Sequence, residues 1–410
     1  MNVEELVRDT LREQAAEQPP AGPGFADRVL SARRRRRTRR LASIAAAVAA
    51  VVAVAVAVPL LDPGRHDTRP SGVLDGTGTT AHPDQSPPRD LIAAGNVALA
   101  AYYTQDIVKL TADRAVYART YWLLDPTTAT YKKDARWGFV AVAPGMRTAA
   151  VLERTLPARR IGLLDLATGK IDRWIPAAHG AGGLAFSRDG SRLLATTYAE
   201  QPDLRHRETV YDAKGKKHEE WLARPNETSR TGFSVVDVAT GHESPWSKVA
   251  TDGDTFGRAD FSFTHDAALV FAPIVGSRDG MQRFHDLEGH EIAAPANERY
   301  LRSDVDARLS PDGRLGAVGL TAEAKDKSWS KIVDPVSGQE VTRVRGARLL
   351  AWVDDRRLVA WERTPDSAEY RPRLVLVTIG SDKVVQLSGT REQDVSPDRE
   401  NVWEPVLAQR

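Results

Sequence analysis

The sequence predicts an all-β domain lying outside a membrane, preceded by a single transmembrane α-helix and a short helical cytoplasmic tail. Three observations predict it. Seven arginines fall within the eight residues Arg33 to Arg40, and 21 uncharged residues follow them. A stretch rich in Pro, Gly, Thr, Ser and Asp comes next. From residue 90 onward, two kinds of Asp-centred turn recur between short apolar runs, which is hairpin chemistry. Composition sets the outer limits. Of 410 residues, 41% are apolar and 27% charged, the balance of a folded chain rather than a disordered one. There is no cysteine, which excludes disulfides, thiolate catalysis, zinc–thiolate sites and iron–sulfur clusters. The net charge is +2, and residues 1–40, with ten arginines and six acidic residues, hold +4 of it. The remainder therefore sums to −2, so no basic face for nucleic acid is expected in the main body.

The first element, residues 1–40, is a basic tail. Val3, Leu6, Val7 and Leu11 form an apolar stripe at helical spacing, and Pro19-Pro20 ends it. Such a tail suits anionic headgroups; a docking helix for a cytoplasmic regulator is the alternative. The second element is Leu41 to Leu61, with one Ser, one Pro and no charge. As a helix, 21 residues span about 31 Å, close to a hydrocarbon core of about 30 Å. Eight arginines (Arg28, Arg33, Arg34, Arg35, Arg36, Arg37, Arg39, Arg40) precede it, against Arg65 and Arg69 after it. That bias keeps the N-terminus in the cytoplasm and places residue 62 onward outside. A cleaved signal has an apolar core of about 7–15 residues and a short leader, neither of which is seen here. The third element, Asp62 to Arg89, is expected to be a flexible linker with a reach of about 30 Å.

Residues 90–410 repeat. One signal is two or more apolar residues, then Asp, then a Gly- or Thr-containing turn: "LLDPTTATY", "LLDLATGKI", "VVDVATGHE", "FHDLEGHEI" and "IVDPVSGQE". Their Asp125, Asp165, Asp237, Asp286 and Asp334 are 40, 72, 49 and 48 residues apart. A second signal precedes most of them: "FSRDGSRLL", "FTHDAALVF", "LSPDGRLGAV" and "WVDDRRLVAW", with "VAPGMRTAAVL" a weaker version. Two hairpins per period make four antiparallel strands, and this is the period of propeller blades. Six units are expected, starting near residues 91, 137, 183, 259, 305 and 348, with an insertion at Glu200–Arg230. The terminal "NVWEPVLAQ" is expected to close the ring on the first blade. A further Ser-Pro-Asp in "VSPDRENVW" keeps a seven-bladed alternative open.

"LSPDGRLGAV" and "FSRDGSRLLAT" resemble the Ser-Pro-Asp-Gly hairpins of the WD40-like and TolB-like (PD40) propeller repeats. The Trp-Asp dipeptide and Gly-His signature of strict WD40 blades are not regularly present, so a divergent TolB-like propeller is the closer likeness. The layout as a whole is similar to membrane-anchored propeller proteins of high-GC bacteria. That resemblance implies a scaffold and no particular reaction.

Strand parity divides the turns between two ends of such a ring. The short Asp-centred turns share one end. The long segments Thr104–Arg114, Glu200–Arg230, Glu323–Ser330 and Thr364–Arg373 share the other, with the links between blades. Elaborated loops opposite uniform turns mark the long-loop end for binding. Aromatic and Arg side chains anchor interfaces, so the candidate partner-binding residues are Tyr211, Trp221, Glu298, Arg299, Tyr300 and Tyr370. Asp252 and Asp254 read as an ordinary turn, and no metal is expected. No Gly-x-Ser-x-Gly elbow, phosphate loop or dinucleotide fingerprint appears, and no cofactor or catalytic set is expected. The expected function is a membrane-anchored scaffold for a protein or cell-envelope ligand. The alternatives are a transmembrane sensor and a propeller lactonase or hydrolase, the latter starting from Asp260, Asp304 and Asp306.

Overall fold

The structure is a computed structural model that describes residues 76–410 except 212–214, 225–227, 250, 252–256, 275–279, 325–326, 365–370 and 392–401. The basic tail, the apolar segment 41–61 and residues 62–75 lie outside the described residues, as do Tyr370, Asp252, Asp254 and most of "VSPDRENVW". Among the described residues every regular element is a β-strand. No helix there is long and apolar enough to cross a membrane.

The strands form consecutive antiparallel blades, each running from an inner to an outer strand. Blade 1 takes its inner strand from the far end of the chain, Trp403–Gln409, followed by Val97–Lys109, Arg114–Asp125 and Thr130–Asp134. Blade 2 holds Trp137–Val142, Thr148–Glu153, Ala158–Asp165 and the first half of Lys170–Phe186. That strand continues past Pro176, and its second half is the inner strand of blade 3, beside Arg192–Tyr198, Arg230–Asp237 and Ser247–Lys248. Blade 4 holds Ser262–Phe263, Val270–Pro273, Gln282–His285 and Glu291–Ile292. Blade 5 begins with a bridge at Leu309 and continues through Gly316–Ala324, Lys327–Val333 and Glu340–Arg345. Blade 6 holds Arg348–Trp352, Arg357–Arg363, Pro372–Thr378 and Val384–Thr390. Among the described residues the strands make six blades of a β-propeller, and blades 2 to 6 begin within a few residues of the expected starts.

Burial explains why these segments are strands. Middle strands lie between two neighbouring blades and read as continuous apolar runs, as in Leu358 to Trp361, all buried. Outer strands such as Thr130–Asp134 face water and carry lysines. The Asp-centred turns behave as their chemistry dictates. Asp189 accepts from Ser187 Oγ at 2.6 Å and from the Ser191 amide at 3.0 Å, and Gly190 takes φ +73°. Asp312 and Gly313 repeat the arrangement.

The ring closes through apolar clusters between blades 1 and 2, 2 and 3, 3 and 4, 5 and 6, and 6 and 1. Blades 4 and 5 meet instead through a cation, with the Arg308 guanidinium 3.7 Å from the Phe271 ring centre. Trp403 of the closing strand is fully buried, its ring 5.1 Å from that of Trp361 and 5.7 Å from that of Tyr102. Two expectations are corrected. The linker read over 62–89 does not stay free to its end. The His82 amide donates to the Leu387 carbonyl at 2.8 Å, the Gly389 amide to the Gln85 carbonyl at 2.7 Å, and Trp403 Nε1 to Ser86 Oγ at 3.0 Å. Those bonds hold its last residues, 82–86, against blade 6 and the closing strand. Thr104–Arg114, read as a loop, is instead the tip of a long hairpin in blade 1.

The insertion Glu200–Arg230 also makes strands. Leu204–Tyr211 pairs with Lys217–Leu222, and its first residues pair with the start of the third blade 1 strand, Leu204 opposite Val116 and His206 opposite Arg114. The blade 1 sheet is thereby prolonged into an arm at the long-loop end.

Candidate functional site

The inner strands surround a channel. A cavity of ≈ 570 Å³ is lined by Tyr103, Arg119, Phe139, Arg258, Asp260 and the closing strand. A second, of ≈ 330 Å³, is lined by Phe263, His265, Glu298, Asp306, Arg308 and Trp352. The two share Phe186, Arg188 and Leu407 to Gln409, so they are parts of one passage.

Charge is concentrated where the arm meets this passage. Asp203, at the root of the insertion, has its side chain 3% exposed and sits between two arginines. Arg119 Nη1 and Nη2 donate to its two oxygens at 2.8 and 3.0 Å; Arg258 Nε and Nη2 donate to the same pair at 2.9 and 2.7 Å. Burial alone would raise the Asp203 carboxyl, but the two guanidiniums outweigh it and hold it far below the usual carboxylate range. Arg258 also donates to Asp260 Oδ2 at 2.8 Å and to the Gly182 carbonyl at 2.7 Å. The Tyr198 hydroxyl donates to Asp260 Oδ1 at 2.8 Å and accepts from the Ala259 amide at 3.0 Å. Burial, reinforced by the Asp260 charge, pushes that phenol well above its ordinary range. Gly183 must be glycine here, because a Cβ would lie 2.2 Å from the Asp260 carboxylate.

Across the passage a second chain of charges runs from Asp306 through Arg348 to Glu404 and Arg391. Asp306 and Arg348 meet at 3.0 Å, and Arg348 reaches Glu404 at 3.3 Å. Although the Asp306 side chain is 48% exposed, the protein crowded around it desolvates the carboxyl and pushes it up, against the pull of Arg348. Burial likewise raises Tyr103, which lies opposite Glu404 on the neighbouring strand. The other end of the passage holds Arg188, whose Nη1 lies 2.7 Å from His265 Nε2; burial and the Arg188 charge together lower that imidazole.

The residues singled out from sequence do not form one surface. Tyr211 lies on the arm with 68% of its surface exposed. Trp221 lies on the same arm, opposite Arg207, and its carbonyl accepts the Tyr117 hydroxyl at 3.0 Å. Glu298, Arg299 and Tyr300 are at the other end, which corrects the face given them by strand parity. Glu298 is 2% exposed; it accepts the His265 amide at 2.7 Å and is ion-paired to Arg308. Arg299 donates to the Val336 carbonyl at 2.9 Å and stacks on Tyr300, whose ring covers Gly338. His265, Val336 and Gly338 all belong to short Asp-centred turns. Parity failed because the link after Ile292 folds into a turn on Pro295 instead of staying at one end. Tyr370 lies outside the described residues.

The carboxylates read as a possible hydrolase set are each held by an arginine: Asp260 by Arg258, Asp304 by Arg302, Asp306 by Arg348. Sequence reading missed Asp203, Arg119, Arg258, Arg348 and Glu404. The signal available was a charge within a strand-like run, as in "YARTYW" around Arg119.

No family profile matches the sequence, and no curated relative matches it. Solved structures resemble it distantly. Hydrazine synthase of Kuenenia stuttgartiensis aligns over 60% of this chain at 14% identity and TM-score 0.34, and the chain spans 64% of that protein's length. TolB from Acinetobacter baumannii aligns over 70% of this chain and 67% of its own, at 13% identity and TM-score 0.34. The Cps50 (Swd1) β-propeller domain of Myceliophteria thermophila aligns over 71% and 99%, at 12% identity and TM-score 0.31. At such scores the blades stand on the strand pairing described above.

Proposed function

We propose that the chain is a membrane-anchored propeller that holds a protein or cell-envelope ligand at its long-loop end, outside the membrane. The arm carries this reading. Val108, Leu110 and Tyr211 expose 44%, 58% and 68% of their surface there. They are presented by paired strands whose root is clamped by Asp203, and large apolar groups on a stiff support are the anatomy of an interface. Anchoring is supported by the uncharged run Leu41 to Leu61 behind its arginine block.

Capture of envelope components by the full chain tests the reading. A variant in which a short Gly-Ser turn replaces residues 205–224 should lose capture. Equal capture by both proteins would overturn the assignment to the arm. Protease added to intact protoplasts should trim the chain to a small membrane stub; a fully protected propeller would overturn the anchor's orientation.

A further inference from the structure

The outer strand of the arm, Lys217–Leu222, is the last in its sheet, pairing among the described residues with Leu204–Tyr211 alone. Residues 217–220 are exposed. An unpaired edge invites another strand, and proteins commonly guard it with charged side chains or with proline. This edge has no proline, and its charges are of both signs. It reads Lys216-Lys217-His218-Glu219-Glu220, so its charge reverses sign about His218.

Antiparallel pairing imposes a register rule. A residue whose N–H and C=O point outward must meet another of that kind, so two identical strands related by a two-fold axis pair with the axis on a residue, never between two. With the axis on His218, Lys216 lies opposite Glu220 and Lys217 opposite Glu219, each twice by symmetry. Lys216, His218 and Glu220 share one face, Lys217 and Glu219 the other, so both faces are complementary. An axis on Glu219 would set that carboxylate against itself, and an axis on Lys217 would oppose two ammonium groups. The acids are already positioned within the arm: Glu219 is ion-paired to Arg207, and Glu220 Oε1 lies 2.7 Å from His218 Nε2.

We propose that the partner of this edge is a second copy of the chain, joined arm to arm through residues 216–220 about a two-fold axis at His218. One strand pair is a small interface, at the low end of specific contacts. Confinement to one membrane, which rests on the proposed anchor, would raise the effective concentration of the arms. The dimer does not depend on the ligand proposed above, and its test involves none.

The chain lacks cysteine, so His218→Cys in the full-length protein supplies a single thiol. Residues opposed across an antiparallel pair have Cα atoms about 4.5–5.5 Å apart, within disulfide range. Mild oxidation, in membranes and in detergent solution, should yield a covalent dimer, whereas Glu340→Cys on blade 5 should not. In the His218→Cys background, Lys216→Glu/Lys217→Glu and Glu219→Lys/Glu220→Lys should each cut cross-linking by about tenfold or more, by opposing like charges. Mixing those two variants should restore it as a heterodimer. Lys217→Gln/Glu219→Gln, milder on folding, should weaken it by a smaller factor. Absence of the His218→Cys dimer, equal cross-linking at residue 340, or indifference to charge reversal would each overturn the proposal. So would a mixture that stays monomeric although both variants melt with their parent.

Discussion

The two ends of the channel are built on different principles. At one end the Asp-centred turns are self-contained: Asp189, Gly190 and the two serines beside them satisfy one another within five residues. At the other end the links that tie the charges together are long-range. Asp203 joins Arg119, 84 residues away, to Arg258, 55 residues away, and Arg348 reaches Glu404 across 56. A local turn is written by short-range stereochemistry and tolerates changes elsewhere. A network of buried charges exists only when the whole ring is assembled, and it fails as a unit.

That contrast can be broken most violently at the closing strand, which both ends share. Trp403→Ala removes the ring packed between Trp361 and Tyr102. It should cost about 3–5 kcal/mol, read by denaturant unfolding of the full chain. Asp203→Ala comes next. It leaves Arg119 and Arg258 buried and facing each other, and a loss of about 3 kcal/mol is expected by the same measurement. A variant no less stable than its parent would mean that the network is not a structural unit.

Asp189→Ala tests the opposite end and should cost only about 1 kcal/mol, the scale of its turn bonds. Acid sharpens the comparison. Hydrogen bonds from Ser187 and Ser191 hold the Asp189 carboxyl down at about 2. A depressed carboxyl contributes stability that is present above its unfolded value, about 3.9, and is lost as pH falls toward the folded one. The Asp189 contribution should therefore disappear between about pH 3.9 and about 2. The Asp203 contribution begins to fall at the same point and continues to lower pH, because its folded value is lower still. Unfolding of the two variants at several acid pH values would show which carboxylate governs the acid limb. The smallest effect on stability belongs to Tyr211→Ala, within about 0.5 kcal/mol for so exposed a side chain, while ligand capture should fall. A large loss of stability would make Tyr211 a structural residue of the arm.

Much of the scaffold was legible in the sequence because its determinants are short-range. An apolar run, an Asp and a Gly or Thr in the turn favour a hairpin wherever they occur, and the two kinds of turn together located blades 2 to 6 to within a few residues. The closing strand was legible for a related reason: one alternating run was left over after the sixth unit, and an open ring would have left an unpaired edge. Tertiary structure alone decided the rest. Whether Glu298 faces a ligand or pairs with Arg308 depends on where a link folds back, and no local rule sets that. Whether Asp203 is a surface loop carboxylate or the clamp of an arm depends on two arginines from other parts of the ring. The sequence by itself determined which segments become strands and turns, since those energies act between neighbours along the chain. Only the folded ring decided which charges meet, because burial makes a charge costly unless an opposite one from a distant segment arrives at the same place.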